Sequence, residues 1–243
     1  MGLTGIGGAA ITTPILILIG ISPLEAVGSD LVFLTFTKSF GSILHIKRGN
    51  IDFRIFKYLV LGSLPSLLIG YFILSQTLQV YGADSVNRIL SILIATLLIF
   101  IGLRYLQTRR KRENIQSGFP TNSVNRGFMH SIVGFLISLG VQMTSIGGGS
   151  LLMPYLIKVM KEPRKMIGTD LAFGFIIALL ATLTHLSLKS TNATVFVPLI
   201  IGAIPGLFLG IHFASKTDQK TLLTILPIVL MVSAALILIK SLI

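Results

Sequence analysis

The sequence predicts an all-α polytopic membrane protein made of two homologous repeats. Each repeat is a Gly-rich broken or re-entrant helix segment followed by three transmembrane helices. Three observations predict this fold. The 243 residues are 53% hydrophobic and only 12% charged, with a mean hydropathy of +0.89, whereas a soluble domain carries about 25% charged residues. Apolar stretches of bilayer length recur along the chain. The second half also repeats the first at one fixed offset. A soluble single-domain enzyme is excluded on these grounds.

Charge and cysteine content narrow the field further. Lys and Arg outnumber Asp and Glu by 20 to 8, a net +12. On a soluble chain that excess would suggest nucleic acid; on one this apolar it marks membrane sidedness, so a lipid bilayer and no nucleic acid are the expected partners. The absence of Cys rules out disulfides, thiolate metal sites and thiol redox chemistry. No His, Asp or Glu spacing resembles a metal site, and no cofactor or catalytic residue is expected. Met1-Gly-Leu-Thr-Gly has no basic n-region. Ile6 stands where myristoylation needs Ser or Thr.

A spanning helix needs roughly 20 apolar residues. The candidates are 3–20, 24–46, 55–75, 86–106, 128–157, 166–188, 193–214 and 221–243. Residues 107–126 form the one long polar stretch, predicted to be a basic cytoplasmic loop between repeat one (1–106) and repeat two (127–243).

The repeat rests on residues that apolar composition alone would not align. At an offset of 140, Gly5-Ile-Gly-Gly-Ala-Ala-Ile-Thr-Thr-Pro14 lies under Ser145-Ile-Gly-Gly-Gly-Ser-Leu-Leu-Met-Pro154, and 19 of 71 positions from 5 to 75 are identical without a gap. The same register pairs Gly28, Asp30 and His45 with Gly168, Asp170 and His185. It also pairs Gly62, Pro65 and Gly70 with Gly202, Pro205 and Gly210. Internal repeats are the usual construction of secondary transporters, with substrate near the repeat interface. Met1 aligns with Val141, so Gly127–Gly140 has no counterpart in the first half. The expectation is that coding sequence upstream of Met1 adds about 15 or more mostly apolar residues, a half-helix; a native mature N-terminus at Met1 would contradict it.

Two topologies fit segment 128–157, which is too long for one straight span and is interrupted at Gly147-Gly148-Gly149. A single crossing makes four crossings per half and parallel halves. A re-entrant hairpin leaves three full crossings per half and inverted halves. Lys and Arg near span ends divide 12 to 7 in the first case and 16 to 3 in the second, with Lys38 inside a span in both. Charge favours the inverted arrangement.

The residues able to carry chemistry follow from this frame. Gly lets backbone N–H groups approach a ligand closely, and a half-helix starting there points its positive end at it. Inverted hairpins would bring Gly7 and Gly8 and the Gly147, Gly148 and Gly149 run to the midplane from opposite sides as an anion site; the alternative is that these glycines only allow tight packing. Asp30, Lys38 and His45 share one sector of the second span, with Asp30 and Lys38 about 12 Å apart along the axis. A lone Lys at the bilayer centre costs about 2.5–3.5 kcal/mol, so it should face protein, water or a ligand. Its repeat counterpart is Ala178, an asymmetry that suits one anion site; the alternative is an architectural pairing of Lys38 with Asp30 or Asp170. The two carboxylates complement their helix dipoles and fit capping as well as coupling or gating. His45 and His185, at the far span ends, fit polar anchors as well as coupling groups. Gly62-Ser66-Gly70 and Gly202-Gly206-Gly210 read as close-packing stripes.

These residues resemble the sulfite exporter TauE/SafE family of membrane transporters. The likeness lies in GIGG…P and SIGGG…P, in AVGSDLVFLTFTKSFGSILHIKRGNIDFR (26–54), and in LGSLP (61–65) with IGAIPG (201–206), and covers essentially the whole chain. It implies transport of a small sulfur-containing or organic anion, such as sulfite, thiosulfate or a sulfonate, across the cytoplasmic membrane. GIGGAA in place of a triple Gly is a departure from the pattern in the first arm. The expected function is an ion- or proton-coupled secondary transporter for such an anion. A passive anion channel is the alternative, and a membrane-embedded enzyme or assembly factor lacks supporting residues. A homodimer is one arrangement compatible with it.

Overall fold

The structure is a computed structural model and describes residues 9–111, 126–214 and 219–242. Among the described residues the chain forms eight helices and no strand. They are α1 (Ala9–Leu18), α2 (Pro23–Lys47), α3 (Phe53–Lys111), α4 (Arg126–Thr144), α5 (Gly148–Val159), α6 (Pro163–Ser187), α7 (Ala193–Ala214) and α8 (Gln219–Leu242). Three are long and apolar enough to cross a membrane: Phe53–Arg104 within α3, Gly127–Thr144 and Pro163–Ser187.

The 52-residue apolar part of α3 would be about 78 Å long if straight, more than twice the bilayer core. Gly82 resolves this: its φ of 75° and ψ of 174° break the helix. Leu74 before the break joins Val86 and Leu90 after it in one apolar cluster with Leu24 and Met143. The spans expected at 55–75 and 86–106 are therefore the two limbs of α3. Of the polar stretch expected as a loop at 107–126, α3 takes in the part up to Lys111 and α4 begins at Arg126; the part between lies outside the described residues.

α2 and α6 form the centre of the fold. Both are 25 residues long, and their ends lie 140 residues apart. Each opens with Pro at the first helical position, where a missing N–H costs nothing. Each closes in the same way. Gly49 (φ 66°) and Lys189 (φ 52°) turn left-handed, and the amides of Asn50 and Ser190 bond back to the carbonyls of His45 and His185 at 3.0 Å, a Schellman closure.

The two helices run antiparallel across each other. Gly28 faces His185 and Ser190, and Gly41 meets Leu171, while Gly168 faces His45 and Asn50. Thr35 and Thr182 share a hydrogen bond of 3.0 Å between them. A Cβ on Gly28 would collide with the Ser190 carbonyl, and one on Gly168 with the Asn50 carbonyl. The braces are reciprocal too: the Asn192 amide donates to Ser29 Oγ and the Asp52 amide to Thr169 Oγ1, both at 3.0 Å. In each brace the partners differ from those of the other by 140 residues.

α4 and α5 fold back on one another. Ser145 (φ 58°) and Gly147 (φ 147°) interrupt the helix. His130 and Tyr155 then hydrogen-bond across the pair with ring centroids 5.8 Å apart, where a continuous helix would separate them by about 37 Å. The single straight crossing considered for 128–157 is thereby excluded.

The Gly62-Ser66-Gly70 stripe packs as expected against α4. Gly62 lies on the Ser131 carbonyl and Gly70 against Gln142, with Ser66 Oγ 2.6 Å from Ser138 Oγ. The second stripe does not. No atom would lie within 4 Å of a Cβ on Gly202 or Gly206, and the surroundings of Gly210 fall outside the described residues. Among the described residues nothing packs onto that face as α4 packs onto α3. Gly62→Ala is therefore expected to lower stability by about 1–3 kcal/mol through overpacking. Gly202→Ala should leave it unchanged or raise it by up to about 1 kcal/mol, as Ala replaces Gly inside a helix. Thermal unfolding of the two variants in detergent checks the contrast.

Candidate functional site

The site grows from two features of the centre: a broken helix and a buried lysine. At the break, α5 starts with Gly147 as its N-cap and no side-chain hydrogen bond closes it. The first N–H groups of a helix have no intrahelical partner and carry the positive end of its dipole. Gly147, at φ 147°, occupies backbone space that side-chain-bearing residues rarely reach. Glycine is thus demanded here by conformation.

Lys38 reaches this point from α2. It is 8% exposed, so its ammonium does not snorkel to the surface. Cβ atoms built on Gly148 or Gly174 would both collide with Lys38 Nζ, and the Lys38 stem runs 3.0–3.1 Å from the Gly174 position. The two glycines therefore form the slot in which the ammonium lies. Among the described residues Lys38 makes no ion pair with Asp30 or Asp170; the pair that forms there is the surface contact Lys165–Glu162 at 3.0 Å. The Lys38 charge nevertheless reaches both carboxyls. An ammonium set against a helix N-terminus joins two positive ends in a buried place. The carboxyls of Asp30 and Asp170 lie in the field of that ammonium.

Asp30 is fully buried and ties three elements together. Its Oδ2 accepts from Thr13 Oγ1 on α1 at 2.8 Å and from Ser145 Oγ at the α4–α5 break at 2.7 Å. Oδ1 has no hydrogen-bond partner. Asp170 is 6% exposed, and its Oδ1 is equally unpartnered. Lys38 is the charged group whose field reaches both carboxyls. Gln142 Oε1, also buried, has no partner, while its Nε2 donates to Thr184 Oγ1 at 3.2 Å.

The structure thus brings together Lys38, Gly147, Gly148 and, one residue on, Gly149, with Asp30 braced at the same break. Gly7 and Gly8 lie outside the described residues. The antiparallel crossing sets His185 opposite Gly28, two residues from Asp30, and His45 opposite Gly168, two residues from Asp170. His185 is fully buried, with both ring nitrogens engaged, Nδ1 with Ser190 Oγ at 2.8 Å and Nε2 with the Gln142 carbonyl at 2.9 Å. It serves as a brace between α6 and α4.

Sequence reading missed Thr13, Ser145 and Gly174. The first two carried a usable signal, since hydroxyls beside a predicted helix break in lipid need an internal partner. Gly174 carried none. A separate cleft of about 310 Å³ between α1 and α7 is lined by Leu16, Ile19, Ile21, Val195, Leu199 and Thr194; without a charged group it is a poor anion site.

Comparison with known proteins identifies the family. The profile described as "Sulfite exporter TauE/SafE" matches residues 1–237. "Probable membrane transporter protein YjnA" of Bacillus subtilis (strain 168) is 33% identical over 238 residues, covering 96% of this chain and 92% of that protein. "Probable membrane transporter protein YunE" of the same organism is 22% identical over 256 residues, covering 94% and 88%. A "Probable membrane transporter protein" of Xylella fastidiosa (strain Temecula1 / ATCC 700964) is 27% identical over 229 residues, covering 90% and 82%. No solved structure matches the chain significantly.

The slot makes a prediction of its own. Gly174→Ala should force the ammonium away from the α5 terminus without disturbing α6, since Ala is the better helix former. Moving a charge from about 4 to 6 Å at an effective dielectric near 20 costs about 1.4 kcal/mol. The anion concentration giving half-maximal thermal stabilisation in detergent should therefore rise about tenfold.

Proposed function

We propose that this chain, which belongs to the sulfite exporter TauE/SafE family, is a secondary transporter moving a small anion across the cytoplasmic membrane. The anion would be sulfite, thiosulfate, a sulfonate or a related organic anion. The observation that carries this reading is the buried Lys38 ammonium set against the uncapped N-terminus of α5, with Gly148 and Gly174 leaving room for it. Backbone amides of Gly148 and Gly149 would hold the anion on one side and Lys38 on the other. The names of the relatives, probable membrane transporters, support transport over catalysis.

The architecture proposed for this mechanism is a pair of inverted repeats, with the basic 107–126 region cytoplasmic. Support comes from α2 and α6, which match at an offset of 140, run antiparallel, and exchange equivalent contacts at Gly28 and Gly168. A two-fold exchange of this kind is how a self-complementary interface is built. The site lies where the two halves meet, and rocking of one half against the other would open it to each side in turn. The reciprocal crossing, a hinge for such rocking, favours a transporter over a passive channel.

A unit charge pair 4 Å apart at an effective dielectric near 20 interacts by about 4 kcal/mol. Lys38→Met should then weaken anion binding by on the order of 100-fold or more and abolish flux in proteoliposomes, with the unfolding temperature kept near wild type. A screen of sulfite, thiosulfate, sulfonates and short carboxylates by thermal shift and flux identifies the substrate. Undiminished flux in Lys38→Met would remove Lys38 from the site.

A further inference from the structure

The oxygens around Asp30 are too many for their protons when the carboxyl is ionised. Asp30 Oδ2 lies 2.8 Å from Thr13 Oγ1 and 2.7 Å from Ser145 Oγ. The two hydroxyl oxygens are 2.5 Å apart, and Ser145 Oγ is 2.6 Å from the Thr144 carbonyl oxygen. Each of these four approaches is at hydrogen-bond distance and needs a proton between the oxygens. With Asp30 ionised, the two hydroxyls supply two protons, leaving two bare oxygen–oxygen contacts. With Asp30 protonated there are three, which leaves one bare contact in place of two, and Ser145 can pass its own proton to the Thr144 carbonyl. The unpartnered, fully buried Oδ1 agrees, because a buried carboxylate normally gathers donors on both oxygens.

The surroundings explain why a proton here would matter to an anion. From its own helix Lys38 is the charged group whose field reaches Asp30; α1 brings the hydroxyls of Thr12 and Thr13, the α4–α5 break brings Ser145, and α6 brings His185, which faces Gly28 with both ring nitrogens engaged, while Asp170, towards the other end of α6, also lies in the field of Lys38. α3, α4 and α7, also packed on α2, bring no charged side chain to it among the described residues. With both carboxyls ionised the buried trio carries one net negative charge and repels an anion. Protonating Asp30 makes the trio neutral and leaves the Lys38 ammonium available. The repeat does not duplicate this device: the counterparts of Thr13 and Ser145 are Met153 and Gly5, so Asp170 has no hydroxyls at those two positions.

We propose that Asp30, with the hydroxyls of Thr13 and Ser145, is a proton-binding site whose protonation admits the anion, so that the two are carried together. This deepens the transporter reading and rests on it. The step is a simple proton binding: the carboxylate takes a proton from the aqueous side the site faces and releases it on the other. Because linkage is reciprocal, the anion must in turn favour the protonated carboxyl.

Two measurements on the full chain in liposomes test the proposal separately from the reading it rests on. Infrared difference spectroscopy across a pH titration should reveal a protonated-carboxyl C=O band in wild type and in Asp170→Asn that is lost in Asp30→Asn. Should Asp30→Asn fail to fold, Thr13→Val keeps the shape and removes one hydroxyl. It should displace the pH at which the band vanishes by about one unit. A band that survives Asp30→Asn, or that Thr13→Val leaves in place, overturns the assignment. In flux assays with radiolabelled sulfite and thiosulfate, a one-unit pH gradient, acid outside, should drive accumulation up to about tenfold per proton carried. Asp30→Asn should retain counterflow and lose that accumulation. Counterflow in wild type that no pH gradient biases overturns proton coupling and leaves the transporter standing. An Asp30 band without counterflow of either anion, nor of any sulfonate or carboxylate, upholds the proton site and refutes the transporter.

Discussion

The close crossing of α2 and α6 is the contact on which the rest of the structure depends. Gly28 and Gly168 allow a backbone of one helix to touch the loop that closes the other, and any side chain there would drive them apart. In lipid, helices gain little from burying apolar side chains against each other, so small residues and polar braces carry the association. The Ser29–Asn192 and Thr169–Asp52 bonds lock the register, and register is what aligns Lys38 with Gly174. A shift of one helical turn would move the ammonium about 5.4 Å away from the α5 terminus.

The α4–α5 break depends on this crossing in turn. Non-helical backbone at membrane depth is tolerated only where protein or a water-filled cavity surrounds it. Residues 144–147 are buried; Thr144 Oγ1 receives the Ile146 amide at 3.2 Å, and Ser145 Oγ donates to Asp30. Asp30 thus satisfies the break while the break satisfies Asp30. Removing either would leave polar groups bare in a low-dielectric place, which explains why a carboxyl costly to bury is kept there.

Symmetry and its loss divide the labour. What positions the helices is duplicated: the glycines of the crossing, the Schellman closures, the amide braces. What would handle charge is single. Lys38 faces Ala178 across the repeat, and Thr13 and Ser145 face Met153 and Gly5. A symmetric scaffold can present its site to both membrane faces with the same energy. The buried ammonium and the hydroxyl-lined carboxyl are therefore single features on a paired scaffold.

Read alone, the sequence determined the membrane class and the all-helical fold, because these follow from composition and from the length of the apolar stretches. It also pointed to Lys38 and Gly147–Gly149, since an isolated charge in lipid and a glycine run at a helix break are each expensive without a reason. It did not reveal that Gly174 makes the slot for Lys38, that Thr13 and Ser145 converge on Asp30, or that Gly202 and Gly206 lie open where Gly62 is packed. Those facts depend on which surfaces meet, and a period along one chain cannot say which neighbour a face will find. The tertiary structure decided them by bringing α1, α2, the α4–α5 break and α6 to one point.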